Sequence, residues 1–207
     1  KMMINELLLT YIDDKPDTFL SGYLNKKYTN FQNIHINYEM LKFRDGDTYE
    51  NLFNNSRIRE SHIILIDSKL FENRQGGLNK KYSGEEFKAI ARKIIPYVNV
   101  LVITQNDIEQ NSNTIKKYCY DAKKCHFEYY DENLKPLLDS ICKDIITLRK
   151  GVESLYETKN VNEFLFQKIE SSLNKGEDIY DALNKSDIDE LVQEFQEIER
   201  LINKNGL

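Results

Sequence analysis

Three carboxylates and one hydroxyl in this chain stand where they could do chemistry together. Asp13 and Asp14 close the apolar run Leu7-Leu8-Leu9-Thr10-Tyr11-Ile12 and lead into Lys15-Pro16-Asp17; Asp67 closes Ile63-Ile64-Leu65-Ile66; Thr104 closes Val100-Leu101-Val102-Ile103. Carboxylates brought close together repel one another unless a cation sits between them, and Mg²⁺ suits one to three carboxylates plus water and phosphate oxygens. The set therefore implies Mg²⁺ on Asp13, Asp14 and Asp67. With the first two neutralised, the Asp67 carboxylate can attack a phosphoryl group while Thr104 hydrogen-bonds one of its oxygens. Each residue alone has a plainer account, since an Asp-Asp pair is common in solvated loops and a lone aspartate often caps a turn.

Convergence of these residues needs strand ends lying side by side. Short β-branched or leucine-rich runs alternate with helical stretches through the first 150 residues, the pattern of parallel βαβ units. Strands are expected at 6–12, within 34–43, and at 62–66, 98–104 and 124–130. Helices are expected at 18–27, 48–57, 84–95, 113–122 and 134–149. In an open α/β sheet ligands gather beyond the carboxyl ends of the strands, where strand order reverses. Asp13, Asp14, Asp67 and Thr104 all fall at such ends. Residues 71–83, with Asn73, Gly76, Gly77 and Asn79, read as a surface loop of unusual length.

The division expected is an α/β domain over 1–150 and a helical extension over 151–207. In the extension, 161–174 and 177–204 have helical periodicity, with Ser186 and Asp189 forming a capping-box pattern. Ile188, Leu191, Phe195, Ile198 and Ile202 make an apolar stripe suited to intramolecular packing, with a partner helix or a second copy as the alternative.

Bulk properties narrow the function classes. The 207 residues carry a formal charge of −5, with Lys and Arg scattered among Asp and Glu, so no concentrated basic face offers itself to nucleic acid. Cys119, Cys125 and Cys142 form no CxxC pair, and His35, His62 and His126 have no zinc-ligand spacing, which fits reduced thiols in a cytoplasmic protein. The longest apolar runs, at 63–66 and 100–103, are far too short to span a membrane. Lys1 ahead of Met2-Met3, and the Asn205-Gly206-Leu207 end, leave open whether this is the whole gene product.

The chain resembles the response-regulator receiver family over about two-thirds of its length. Asp13-Asp14 match the family's acidic pair, Asp67 the phosphoacceptor, Lys69 the residue whose carbonyl helps hold the metal, Gly84-Glu85-Glu86-Phe87 the start of the third helix, and Thr104 the hydroxyl residue. Ala122 and Phe127 match the small residue and the aromatic switch. The resemblance implies a flavodoxin-like, doubly wound, five-stranded parallel sheet of order 2-1-3-4-5. It also implies a cytoplasmic signalling protein that takes a phosphoryl group from a histidine kinase or phosphotransfer protein and signals through protein contacts, with homodimer formation as one mode.

Two departures stand out. The family places a lysine followed by proline at the end of strand five, whereas anchoring on Ala122 and Phe127 puts Tyr130 and Asp131 there; Lys135-Pro136, five residues on, is a candidate for the missing amine. Phe71 stands where the family has a proline. A receiver lacking the strand-five lysine would work as a phosphorylation-independent interaction or dimerisation module, and this is the alternative reading. Tyr118, Tyr120, Tyr129 and Tyr130 cluster where receivers engage partners. Haloacid-dehalogenase-like and Toprim-type sites both need Asp-x-Asp, which neither Asp13-Asp14-Lys15 nor Asp67-Ser68-Lys69 supplies.

Overall fold

The computed structural model describes residues 6–70, 82–106, 114–120 and 124–157. Among them the chain runs β1 (Glu6–Asp13), α1 (Thr18–Lys26), β2 (Asn30–Phe31), β3 (Ile34–Lys42), α2 (Tyr49–Asn54), α3 (Ser56–Glu60), β4 (Ile63–Asp67), β5 (Lys69–Leu70) and β6 (Tyr82–Ser83). It continues through α4 (Gly84–Ile94), β7 (Asn99–Thr104), β8 (Thr114–Lys116), α5 (His126–Asn133) and α6 (Lys135–Glu157).

Side-chain parity along the central strands builds the layers. Leu7, Leu9 and Tyr11 of β1, Ile63 and Leu65 of β4, and Leu101 and Ile103 of β7 face one side, packing on α1, α5 and α6 through Leu20, Tyr23, Tyr130, Leu138 and Cys142. Ile12, Ile64, Ile66, Val100 and Val102 face the other, packing on α2, α3 and α4 through Leu52, Phe53, Ile58, Phe87 and Ala91. Alternate residues of a strand point to opposite faces, so a strand apolar at every position must be covered on both. Each fully buried Leu or Ile contributes on the order of 2 kcal/mol.

The result is a mixed α/β fold around a mostly parallel sheet. Its order is β2-β3-β1-β4-β7-β8, with β5 and β6 forming a separate antiparallel ribbon. The sheet has six strands where five were expected, and its order differs because the two-residue β2 folds back antiparallel on the outer edge of β3. The other five strands are parallel, with β1 between β3 and β4, then β7 and β8.

Helix starts follow local chemistry. Asp17 Oδ1 accepts the Leu20 N–H at 2.7 Å to cap α1, and Ser83 Oγ accepts the Glu86 N–H at 3.1 Å to cap α4. The single helix expected over 48–57 is two, because Asn55 takes an extended conformation and caps α3 by accepting the Arg57 N–H at 3.0 Å. Helix α6 begins at Lys135 and continues through Gly151 to Glu157.

Two expected elements need correction. Residues 126–130 of the expected fifth strand belong to helix α5, and the expected helix over 113–122 contains strand β8 instead. The aromatics of α5 read as strand-like, yet Phe127, Tyr130 and Leu134 recur at helical spacing and pack on α1, with the rings of Tyr23 and Tyr130 5.4 Å apart. Strand β8 has three residues, one neighbour and one buried apolar side chain, Ile115, too little for a periodicity signal. The expected loop over 71–83 lies outside the described residues except for Tyr82 and Ser83, which form β6. Ala122 and the expected helices over 161–174 and 177–204 also lie outside them.

Candidate functional site

The register that aligns the strands also aligns their chemistry. Ile12 is paired with Ile66, Asp67 with Ile103, and Thr104 with Lys116, so Asp13, Asp67 and Thr104 come out at one rim. The Lys117 N–H donates to the Thr104 carbonyl at 2.6 Å, which carries the β7–β8 pairing one residue further and sets the Lys117 side chain at that rim. A cavity of about 210 Å³ opens there, lined by Asp13, Asp14, Asp67, Lys69, Thr104 and Lys117 among others.

Lys117 is the residue that sequence reasoning missed. Its Nζ lies 2.7 Å from Asp13 Oδ2 and 2.5 Å from Asp67 Oδ1, and all three side chains are almost wholly withdrawn from solvent. The signal was present as a β-branched pair, Thr114-Ile115, ending in two lysines, but the residues around it looked helical. Lys117 fills the place assigned to Tyr130 or Lys135, and Tyr118 follows it where the resemblance called for proline.

Those two residues lie elsewhere. Lys135 opens α6 and pairs with Asp139 one turn on at 2.5 Å, because the first turn of that helix points its ammonium along the helix surface. Tyr130 is completely buried in α5, where its hydroxyl accepts the Tyr118 N–H at 3.1 Å. It thus holds the segment just after Lys117. Phe127 is also on α5, packed against Tyr23, and β8 itself carries no aromatic residue. Of the four tyrosines expected near a partner face, Tyr120 is the exposed one, while Tyr118 and Tyr130 are buried and Tyr129 packs on the core.

The expected carboxylates do converge. Oxygens of Asp13, Asp14 and Asp67 lie within 4.8 Å of one another. Asp13 is fixed from three directions: Oδ1 accepts the Lys15 N–H at 2.8 Å, and Oδ2 accepts both the Tyr11 hydroxyl and the Lys117 ammonium. Tyr11 Oη in turn accepts the Asp17 N–H at 3.3 Å. Asp67 Oδ2 accepts the Lys69 N–H at 3.0 Å, and Thr104 Oγ1 accepts the Asn106 N–H at 3.2 Å. Asp14 is half-buried at the mouth.

The electrostatics show what this donor set suits. Burial pulls the Lys117 ammonium down, but its hydrogen bonds to Asp13 and Asp67 and their charges outweigh this and hold it above the ordinary lysine range. Burial pushes Asp67 up, with Lys117 opposing and Asp13 adding to the rise. Burial, then the charges of Asp13 and Asp67, push Asp14 up as well. Three carboxylates converge beside one buried ammonium, with Lys15 opposing the rise of Asp14, and such a set of oxygen ligands suits a hard divalent cation.

A scan against protein-family models gives no match. No curated protein matches at a significant level. Among solved structures, the chain is similar to the two-component response regulator RcsB in complex with DNA, at 16% identity and a TM-score of 0.32, covering 81% of this chain and 88% of that one. A likeness of that order lends no weight to the site, whose reading rests on its own geometry.

Proposed function

We propose that this chain is a receiver-type signalling protein that accepts a phosphoryl group on Asp67. The observation that carries the reading is the Lys117 ammonium bridging Asp67 and Asp13 from the end of β8, across β7 from β4. A buried lysine beside a carboxylate nucleophile supplies fixed positive charge where phosphoryl oxygens gather charge in transfer.

In the step proposed, an Asp67 carboxylate oxygen attacks phosphorus, the bond from phosphorus to the donor's leaving group breaks, and the leaving group departs with the electron pair. The product is an aspartyl phosphate. Lys117 then pairs with a phosphoryl oxygen, and Thr104 donates to another, giving up its bond from Asn106 as it turns. That exchange gives the segment after β7 a way to register the phosphoryl group. Asp13, Asp14 and Asp67, with the Lys69 main chain, would hold Mg²⁺, which when bound supplies further positive charge and stabilises charge on the phosphoryl oxygens.

The donor proposed is a histidine kinase or phosphotransfer protein. The output proposed is protein contact, with 1–150 as the receiver-like unit and 151–207 as the helical extension that relays the change or pairs with a second copy. Among the described residues no helix is long and apolar enough to cross a membrane.

A second reading has its own observation. Asp13 already accepts from Tyr11, Lys15 and Lys117, so Lys117 can serve as the resident cation of a phosphorylation-independent interaction module. Incubation with Mg²⁺ and acetyl phosphate separates the two. A gain of one phosphoryl group in the intact mass, absent in Asp67→Asn, is expected of a receiver; unchanged mass would favour the module.

A further inference from the structure

We propose that a second cleft, at the opposite end of the sheet from the acidic site, binds a small oxyanion through Arg59, His62 and Arg149. The cleft encloses about 300 Å³ and is lined by Arg59 of α3, His62 just before β4, Asn99 at the start of β7, and Asp144 and Arg149 of α6. It lies where β4 and β7 begin, whereas Asp67 and Thr104 lie where they end.

The argument is a surplus of donors. A neutral imidazole has one acceptor nitrogen, and two donors converge on that of His62: the Leu8 N–H reaches Nδ1 at 2.9 Å, and an Arg149 guanidinium nitrogen lies 2.5 Å from Nε2. Whichever nitrogen carries the proton, one of these contacts sets donor against donor. Beside them Arg59 Nε is buried without a hydrogen-bond partner among the described residues. Buried donors left unmatched are costly, and two guanidiniums with a surplus N–H are the groups that recognise a phosphate or carboxylate.

The charges around the cleft agree. Glu60 and Asp144 line it too, and both are solvent-exposed. Burial first and the Arg149 charge second hold His62 down at about 4, as expected of a desolvated imidazole beside a guanidinium. An anion seated there would tie α3 and β4 to α6.

The test is titration of the full chain with inorganic phosphate in buffer containing a metal chelator, followed by calorimetry and by the proton NMR of His62. One saturable site is expected, with the His62 midpoint moving up from about 4 as the site fills. Arg59→Gln should weaken binding about tenfold or more. Arg57→Gln, which removes a surface partner of Glu39, and Asp67→Asn should leave it unchanged. The proposal is overturned if no saturable binding occurs, if Arg59→Gln binds like the parent, or if Asp67→Asn abolishes binding and so assigns the phosphate to the acidic rim. Arg149→Gln is the secondary variant, and should it fail to fold, Arg59→Gln still decides.

Discussion

The Lys117 ammonium lies 2.5 Å from Asp67 Oδ1 with both side chains nearly out of solvent, and its second carboxylate, Asp13, is 2.7 Å away. Removing the ammonium leaves two facing carboxylates in a site that cannot solvate them. Lys117→Gln should cost about 3 kcal/mol in denaturant unfolding, since breaking a buried pair strands the remaining charge. Added Mg²⁺ should restore part of that loss in the variant by neutralising the same carboxylates. A variant as stable as the parent would show that the bridge contributes nothing.

Tyr130 acts on the same lysine from outside the rim, by accepting the N–H of Tyr118, the next residue. Tyr130→Phe keeps the buried ring and removes that acceptor. The expected loss is about 1–2 kcal/mol, together with slower gain of phosphoryl on Asp67. If stability falls while the phosphorylation rate is unchanged, the hydroxyl holds the fold but does not position Lys117.

Gly84 fixes the other side of Asp67. A Cβ on Gly84 would come within 2.6 Å of the Asp67 carbonyl oxygen, a main-chain atom that can yield only by moving the end of β4. The Gly84 N–H also donates to the Ser68 carbonyl at 3.2 Å. Gly84→Ala should therefore destabilise by about 1–3 kcal/mol, the usual range for forced overpacking, and weaken Mg²⁺ binding as Asp67 is displaced. Gly22→Ala, where a Cβ meets nothing within 4 Å, is the matched control and should be near neutral or stabilising.

His62 sets a pH dependence with a definite sign. Its folded value, held near 4 by burial and Arg149, lies below the ordinary 6.5, so between those values the unfolded chain binds a proton that the folded chain refuses. The contribution to stability is complete above pH 6.5 and is lost as pH falls toward 4. It amounts to about 3 kcal/mol. Across this window the stability difference between the parent and His62→Gln should change by about that amount; a constant difference would mean His62 titrates normally in the folded state.

Much of the acidic rim was legible in the sequence because the strands that carry it declare themselves. β1, β4 and β7 are apolar at nearly every position, a pattern forced by burial on both faces, and their ends at Asp13, Asp67 and Thr104 are abrupt. The edge strand was not legible. With one neighbour and three residues, β8 is defined by its pairing to Val102, Ile103 and Thr104 and not by any pattern of its own. Five aromatic or apolar residues among 125–130 supplied a stronger false signal, and aligning on Phe127 moved the expected lysine to Tyr130. The position of Lys117 is thus a tertiary fact, set by the Thr104 carbonyl that accepts its N–H. The cleft at Arg59 and Arg149 was illegible for the same reason, since it joins residues 90 positions apart through the packing of α6.

The central claim is a covalent one, that Asp67 carries the phosphoryl group. After reaction with acetyl phosphate and Mg²⁺, an aspartyl phosphate can be reduced with borohydride, which converts the modified aspartate to homoserine, and the residue located by peptide mass. Homoserine at position 67 in the parent, with the yield strongly reduced in Lys117→Gln, is the result this account predicts. Reduction at Asp13 or Asp14, or at no aspartate, would contradict it.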